Sequence, residues 1–191
     1  MYKELPKEPV VDILYRSTLI DLVRQSSAKR VAEVGVYAGF TAQAVLDACG
    51  DQISEYYLVD AWRLFKACEL SPPIGVQRQW QANFDGVAVE CCQRMLPYSA
   101  ARIIRLWSVE AATLFELETL DLVFIDGDHT FGAVTSDIKA WLPTVRRGGL
   151  ITGHDYGIVC EDANVKGAVD AFFAADEIQI LPGSVWVVKK K

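Results

Sequence analysis

The sequence has few histidines and almost no clustered basic residues. Only two of its 191 residues are histidine, and its formal net charge is −6. The one basic run is 189–191, at the end of the sequence. Because nucleic-acid phosphates are bound by clustered lysine and arginine, we expect no nucleic-acid partner.

Cysteine pairs and long apolar runs are also missing. The five cysteines form no C-x-x-C pair, and their odd number does not suit a framework of disulfides. No apolar run approaches the roughly 18 residues of a membrane span, and no charged-then-apolar leader is recognisable at the start. We therefore expect reduced thiols, no membrane partner and a cytoplasmic location.

The composition is that of an ordinary globular protein, with 51% hydrophobic and 23% charged residues. A chain of this length can form one central sheet with flanking helices, so residues 1–191 are expected to form a single domain.

Apolar periodicity predicts helices and strands that alternate along the chain. Helices are expected at about 9–25, 41–49, 132–142 and 165–173. Strands are expected at 30–35, 56–59, 102–106, 120–125 and 150–152, followed by a hairpin of 178–181 and 185–188. The pattern predicts an α/β fold with a doubly wound, mostly parallel seven-stranded sheet and an antiparallel C-terminal hairpin strand.

Residues 61–98 form a long connection that is rich in aromatic side chains. Such a segment after a strand end predicts a lid or substrate segment, in which Trp62 and Trp80 could stack on a planar substrate. The alternative is a helical pair that packs on the sheet.

A glycine turn, Glu33-Val-Gly35-Val-Tyr37-Ala38-Gly39, follows the first predicted strand and precedes a helix. Its glycine spacing differs from the dinucleotide pattern G-x-G-x-x-G. The second predicted strand ends at Asp60, where an acidic residue binds ribose hydroxyls in such folds. The turn and the spaced acid together predict an adenosine-type ligand.

Both histidines lie in acidic clusters that follow buried strands. The clusters are Asp126-Gly-Asp128-His129 and Gly153-His154-Asp155-Tyr156. Ligands of open parallel sheets bind outside the carboxyl ends of the strands, so the two clusters are expected to share a site. Histidine and aspartate together suit metal binding or proton transfer.

These motifs resemble those of class I S-adenosylmethionine-dependent methyltransferases. The resemblance runs from about Arg30 to Trp186 and is strongest to the small single-domain branch with an Ile-Asp-Gly-Asp-His motif after the fourth strand, here 125–129. It implies a Rossmann-like fold and S-adenosylmethionine as cofactor.

The resemblance also implies roles for particular residues toward the cofactor. Gly35 and Gly39 would face its methionine part, with Glu33 near the amino group, and Asp60 would bind the ribose. Trp107 and Ser108 would contact the adenine. The complete set of expected cofactor-binding residues is Glu33, Gly35, Tyr37, Gly39, Asp60, Trp107, Ser108 and Asp126.

The branch is similar to metal-dependent O-methyltransferases, which implies a divalent metal, Mg or Mn, bound by Asp126, His154 and Asp155. His129 would be the general base. Magnesium prefers oxygen ligands, so His154 favours manganese, iron, cobalt or zinc. Alternatively the site is metal-free, and the two aspartates bind cofactor or cap helices. Asp128 and Asp137 are interpreted as structural residues.

The expected activity is transfer of the methyl group of S-adenosylmethionine to a hydroxyl of a small-molecule acceptor. Three alternatives remain open: a metal-independent methyltransferase, a nicotinamide-dependent oxidoreductase, and a non-catalytic cofactor-binding protein. A homodimer is compatible with the sequence.

Overall fold

Helices and strands alternate along the chain. The structure is a computed structural model that describes residues 13–63, 74–158 and 163–191. The helices are α1 Ile13–Ser26, α2 Phe40–Cys49, α3 Ile74–Met95, α4 Ser108–Ala112, α5 Phe131–Trp141 and α6 Val165–Phe172. The strands are β1 Arg30–Val34, β2 Glu55–Val59, β3 Ala101–Ile104, β4 Leu120–Ile125, β5 Val145–Gly153, β6 Ile178–Leu181 and β7 Val185–Lys189.

The strands form one seven-stranded sheet in the order β3-β2-β1-β4-β5-β7-β6. Strands β1 to β5 run parallel, and β7 pairs antiparallel with both β5 and β6. The predicted fold class, including the antiparallel C-terminal hairpin, is confirmed.

Apolar side chains cover both faces of the central strands, as expected for parallel strands between two helical layers. Val31 and Phe124 pack in the core under α1, α2 and α3. Ala32 and Val123 pack in the core under α4, α5 and α6. Three helices therefore cover each face of the sheet, which is the doubly wound arrangement.

The chain leaves β1 toward β2 on one side and returns to β4 on the other. This reversal makes the carboxyl ends of β1 and β4 the topological switch point, where a crevice opens between the flanking loops. The glycine turn follows β1, and the first histidine cluster follows β4.

Two regions differ from the sequence-based expectation, and a third expected boundary lies outside the described residues. Strand β5 begins at Val145, well before the expected 150, because it pairs with β4 on both sides of a register shift between Leu120 and Leu122. Helix α3 occupies much of the segment 61–98, whose residues 64–73 lie outside the described part. The expected start of the first helix, at about residue 9, also lies outside it.

None of the described helices combines the length and apolar composition that crossing a bilayer requires. The described cysteines Cys49, Cys91 and Cys92 are free thiols. Cys68 and Cys160 lie outside the described residues.

Gly153→Ala is expected to destabilise the fold by about 3 kcal/mol or more, because overpacking a rigid core is costly. A Cβ atom at Gly153 would lie 2.4 Å from the carbonyl oxygen of Ile125 and 2.7 Å from Nε1 of Trp186. Urea denaturation measures the change. Gly86→Ala, in α3 with nothing within 4 Å of the added atom, is the control and should stabilise by up to about 1 kcal/mol. Equal stability of Gly153→Ala and the parent protein would contradict the expectation.

Candidate functional site

The backbone of the glycine turn lies directly against the end of β4. Gly35 has φ 89°, and a Cβ atom there would lie 2.3 Å from the carbonyl oxygen of Asp126. The amide of Asp126 donates to the carbonyl of Val34 at 2.7 Å. Only glycine permits this approach, which brings Asp126 to the mouth of the turn.

Asp60 anchors the turn from the end of β2. Its Oδ2 accepts hydrogen bonds from the amides of Val36 and Tyr37 at 3.0 and 2.9 Å. Its Oδ1 accepts from the amide of Trp62 at 2.8 Å. The carboxylate therefore shapes the turn, and its remaining lone pairs are what a ribose hydroxyl would use.

A cavity of about 420 Å³ opens on the α4–α5 side of the turn. We call it the Asp137 cavity, and its polar lining residues include Asp60, Ser108, Asp126, Asp128 and Asp137. The predicted residues Gly35, Tyr37 and Trp107 line it as well.

The sequence indicates a structural role for Asp137, and the structure places this residue on the wall of the Asp137 cavity. It is only 6% exposed, and burial raises its pKa to about 6. Ser108 acts in the opposite direction and lowers this pKa. Its Oγ accepts a hydrogen bond from Nε1 of Trp141 at 2.9 Å.

A second cavity, of about 400 Å³, opens on the α1–α2 side. We call it the histidine cavity, and its acidic, basic and histidine lining residues are Arg16, Glu33, Asp126, His129, His154 and Asp155. Gly35, Tyr37 and Asp126 line both cavities, so one ligand can extend around the turn from one to the other.

Glu33 lies fully buried at the base of the histidine cavity. Burial raises its pKa to about 8, although Tyr56 donates a hydrogen bond to its carboxylate at 2.6 Å. A cationic ligand beside Glu33 would favour the ionised carboxylate, because an opposite charge stabilises the charged form.

Both histidines meet the same two carboxylates. Nε2 of His129 lies 2.9 Å from Asp155 Oδ2 and 3.5 Å from Asp126 Oδ1. Nδ1 of His154 lies 3.4 Å from Asp126 Oδ1 and 3.3 Å from Asp155 Oδ1. The His154 ring stacks on Tyr15 of α1 at 4.2 Å between centroids. The predicted convergence of the two clusters is therefore present in the fold.

The charge state of His129 follows from these neighbours. Asp126 and Asp155 raise its pKa above the ordinary value, so the imidazolium is favoured at neutral pH. The short approach to Asp155 lacks hydrogen-bond direction, and Nε2 has no hydrogen-bond partner among the described residues. As a proton acceptor, His129 would need a further positive charge beside the carboxylates.

The donor set suits a divalent cation. One ligand atom each from Asp126, His154 and Asp155 lies within 4.8 Å of the others. Donors about 2.1 Å from one ion are about 3 to 4 Å apart, which this spacing allows. Two carboxylates and one imidazole suit manganese or zinc better than magnesium.

Two other sequence-predicted residues have a different environment from the one expected. Gly39 is not among the described residues that line either cavity. It lies against α3 instead, since a Cβ atom built on Gly39 would be 3.0 Å from Sγ of Cys91. Trp62 is 2% exposed, and its indole donates to the carbonyl of Tyr37 at 2.8 Å. Stacking of Trp62 on a substrate is therefore wrong, because the ring is part of the core.

The segment 61–98 is only partly consistent with a lid. The C-terminal half of α3 is a core element, since Val87, Cys91 and Met95 are buried. In its N-terminal half, Phe84 borders the Asp137 cavity and Trp80 is 40% exposed. A role in acceptor binding stays a prediction for this half.

Residues 32–156 match a family described as a methyltransferase domain. The chain belongs to this methyltransferase family. The match covers the glycine turn, Asp60 and both histidine clusters, and it confirms the predicted resemblance to class I S-adenosylmethionine-dependent methyltransferases. The match does not show that the Ile-Asp-Gly-Asp-His motif in particular is a feature of this family.

Solved structures of other proteins share the fold, and two of the three given below are named as methyltransferases. The O-methyltransferase NovP is 16% identical with a TM-score of 0.64, covering 93% of this chain and 78% of its own. Cofactor-bound Rv0187 from MTB is 18% identical with a TM-score of 0.66, covering 98% and 85%. The N-methyltransferase NodS from Bradyrhizobium japonicum is 11% identical with a TM-score of 0.58, covering 93% and 95%.

A curated relative, the uncharacterized protein y4gI of Sinorhizobium fredii, is 27% identical over 143 residues. The alignment covers 70% of this methyltransferase but only 14% of the relative. The chain thus spans about a seventh of the length of the curated relative it matches.

Asp137→Asn is expected to remove a pH-dependent loss of stability. The buried carboxyl has a pKa of about 6 against 3.8 unfolded, so the native state binds more protons and stability falls as pH rises between these values. At about 1.4 kcal/mol per pKa unit, the variant should be more stable than the parent at pH 7.5 by up to about 3 kcal/mol, and equally stable below pH 4. Urea denaturation at both pH values measures this difference.

The control is Asp176→Asn, which removes the same charge from an exposed position. A pH-dependence of Asp137→Asn identical to that of the parent would refute the assignment of the effect to Asp137.

Proposed function

We propose that this methyltransferase transfers the methyl group of S-adenosylmethionine to a hydroxyl of a small molecule, assisted by a divalent metal. The observation that carries the proposal is the convergence of Asp126, His129, His154 and Asp155 at the switch point. This cluster borders a cavity that continues around the glycine turn.

The nucleoside is assigned to the Asp137 cavity. Asp60 would bind the ribose with lone pairs not used by the turn, and Trp107 and Ser108 would border the adenine. The amino-acid part is assigned to the histidine cavity, where Glu33 and Asp126 supply oxygen acceptors for its ammonium group. Gly35 and Tyr37, which border both cavities, lie where the two parts join.

The metal is assigned to Asp126, His154 and Asp155, whose donor atoms are close enough to share one ion. Bound there, it would lower the pKa of an acceptor hydroxyl and orient the oxygen. Its charge would also offset the two carboxylates beside His129. The His129 imidazole could then hold or accept the hydroxyl proton at Nε2.

Oxygen is favoured over nitrogen as acceptor because a hydroxyl must lose a proton, and the site offers groups for that step. An electron-rich amine would need less assistance. The structural neighbours include both O- and N-methyltransferases, so the choice rests on Asp126, His129 and Asp155.

The alternatives make different predictions about binding. A nicotinamide-dependent oxidoreductase would bind NAD(H) in preference to S-adenosylhomocysteine, which calorimetric titration with each compound distinguishes. A non-catalytic binding protein would show no turnover on any acceptor panel. A metal-independent methyltransferase would retain full activity after removal of divalent cations.

Removal of divalent cations is expected to abolish methyl transfer, and single cations should restore it selectively. The imidazole of His154 favours manganese, cobalt or zinc over magnesium. His154→Asp makes the set all-oxygen and should shift the preference toward magnesium. Radiolabelled methyl transfer to a panel of phenols and alcohols, after chelation and readdition of each cation, measures this order.

Activity that survives chelation unchanged would rule out metal assistance. Anomalous diffraction from crystals grown with saturating manganese provides a second readout. It would count against the assignment if no peak lay between Asp126 and Asp155.

His129→Ala is expected to reduce turnover by about 100- to 10,000-fold, the usual contribution of a general base. Its affinity for S-adenosylhomocysteine should stay within a few fold of the parent, because the proposed cofactor contacts of the histidine cavity are made by Glu33 and Asp126 and not by His129. Single-turnover kinetics and calorimetry measure the two quantities. Lys139→Ala, at an exposed position of the following helix that lines neither cavity, is a control for general effects in that helix. Undiminished turnover in His129→Ala would exclude a base role.

A further inference from the structure

Arg16 supplies the positive charge of a guanidinium to the histidine cavity. Among the described residues that line this cavity, it is the only arginine or lysine. It lies on α1, before the segment 32–156 that matches the methyltransferase family. Its guanidinium carbon lies 5.5 Å from the ring centre of Tyr15 and 5.8 Å from that of Phe40. These rings hold the guanidinium at the cavity wall, because cations are attracted to aromatic faces.

The N-terminus of α2 favours an anion at the same wall. Gly39 is the N-cap of this ten-residue helix and provides no side-chain hydrogen bond to its first amides. The first-turn residues Phe40 and Thr41 line the cavity. Amides at a helix N-terminus point outward and carry partial positive charge. Tyr15, whose hydroxyl is 2.7 Å from Thr41 Oγ1, links this turn to α1 beside Arg16.

Negative charge lines the same cavity. Glu33 and Asp126 border it and interact electrostatically with Arg16. The cavity thus presents acidic oxygens as well as a guanidinium and a helix N-terminus. A small ligand that carries both an ammonium and a carboxylate group is complementary to groups of both charges.

We propose that Arg16 binds the carboxylate of the methionine part of S-adenosylmethionine, together with the first turn of α2. The inference rests on the proposed function, which assigns the nucleoside to the Asp137 cavity and the amino-acid part to the histidine cavity. With the ammonium at Glu33 and Asp126, the carboxylate is directed to the cationic wall. A planar guanidinium matches a carboxylate in charge and geometry.

Three ligands separate this contact from the rest of cofactor binding. S-adenosylhomocysteine has both charged groups, its methyl ester lacks the carboxylate charge, and 5′-methylthioadenosine lacks the whole amino-acid end. Calorimetry measures the dissociation constant of each for the parent protein, Arg16→Met, Arg16→Lys and Arg24→Met. Arg24 is the matched control because it is exposed on the same helix, with its guanidinium bonded to the Ala48 carbonyl.

Arg16→Met should weaken S-adenosylhomocysteine binding by about 10- to 100-fold, as expected for loss of a hydrogen bond to a charged group. Binding of the methyl ester and of methylthioadenosine should be unchanged. Arg16→Lys should give an intermediate loss, and Arg24→Met should bind all three ligands like the parent.

The proposal is overturned if Arg16→Met binds S-adenosylhomocysteine like the parent. It is also overturned if all three ligands are weakened equally, because this would indicate a packing role for Arg16. If Arg16→Met does not fold, the parent protein still provides a test, since equal affinity for S-adenosylhomocysteine and its methyl ester would exclude a carboxylate contact. A parent protein that binds neither S-adenosylhomocysteine nor methylthioadenosine would refute the proposed cofactor itself.

Discussion

The close contact between the backbone after β1 and the backbone after β4 is the constraint on which the site depends. Gly35 approaches the Asp126 carbonyl so closely that any side chain at position 35 would collide with it. This contact places Asp126 on the walls of two cavities, one bordered by residues of α5 and the other by residues of α1. A shift of either strand end would separate the glycine turn from the histidine clusters. The turn and the clusters could then no longer bind the same ligand.

The electrostatic balance of the site follows from that geometry. Asp126 and Asp155 lie within ion-pair distance of both histidines, and His129 lowers the pKa of Asp155. The same carboxylates favour protonated His129, while the burial of Glu33 opposes its ionisation. The site is therefore arranged to accept positive charge. A metal ion, a sulfonium and an ammonium group are the cations that the proposed reaction would bring to it.

Most of the fold could be predicted because apolar periodicity is strong in the central elements. The expected limits of β4, 120–125, match the structure exactly as Leu120–Ile125, since both faces of this strand are buried. Helix α3 was harder to predict because its N-terminal half is largely exposed and carries no regular apolar stripe. The early start of β5 depends on pairing with β4 across a register shift, which no local pattern encodes.

Local motifs by themselves indicated an adenosine-type ligand and acidic residues at the strand ends, because the glycine turn and the acidic clusters after apolar runs can be recognised from the sequence without any tertiary contact. Tertiary structure decided which helical residues join them. Arg16 and Asp137 lie within helices and far from the motifs in sequence, and only the packing of α1 and α5 on opposite faces brings them to the two cavities. The charge state of His129 was likewise decided by tertiary structure, because it depends on Asp155, a neighbour from another strand end.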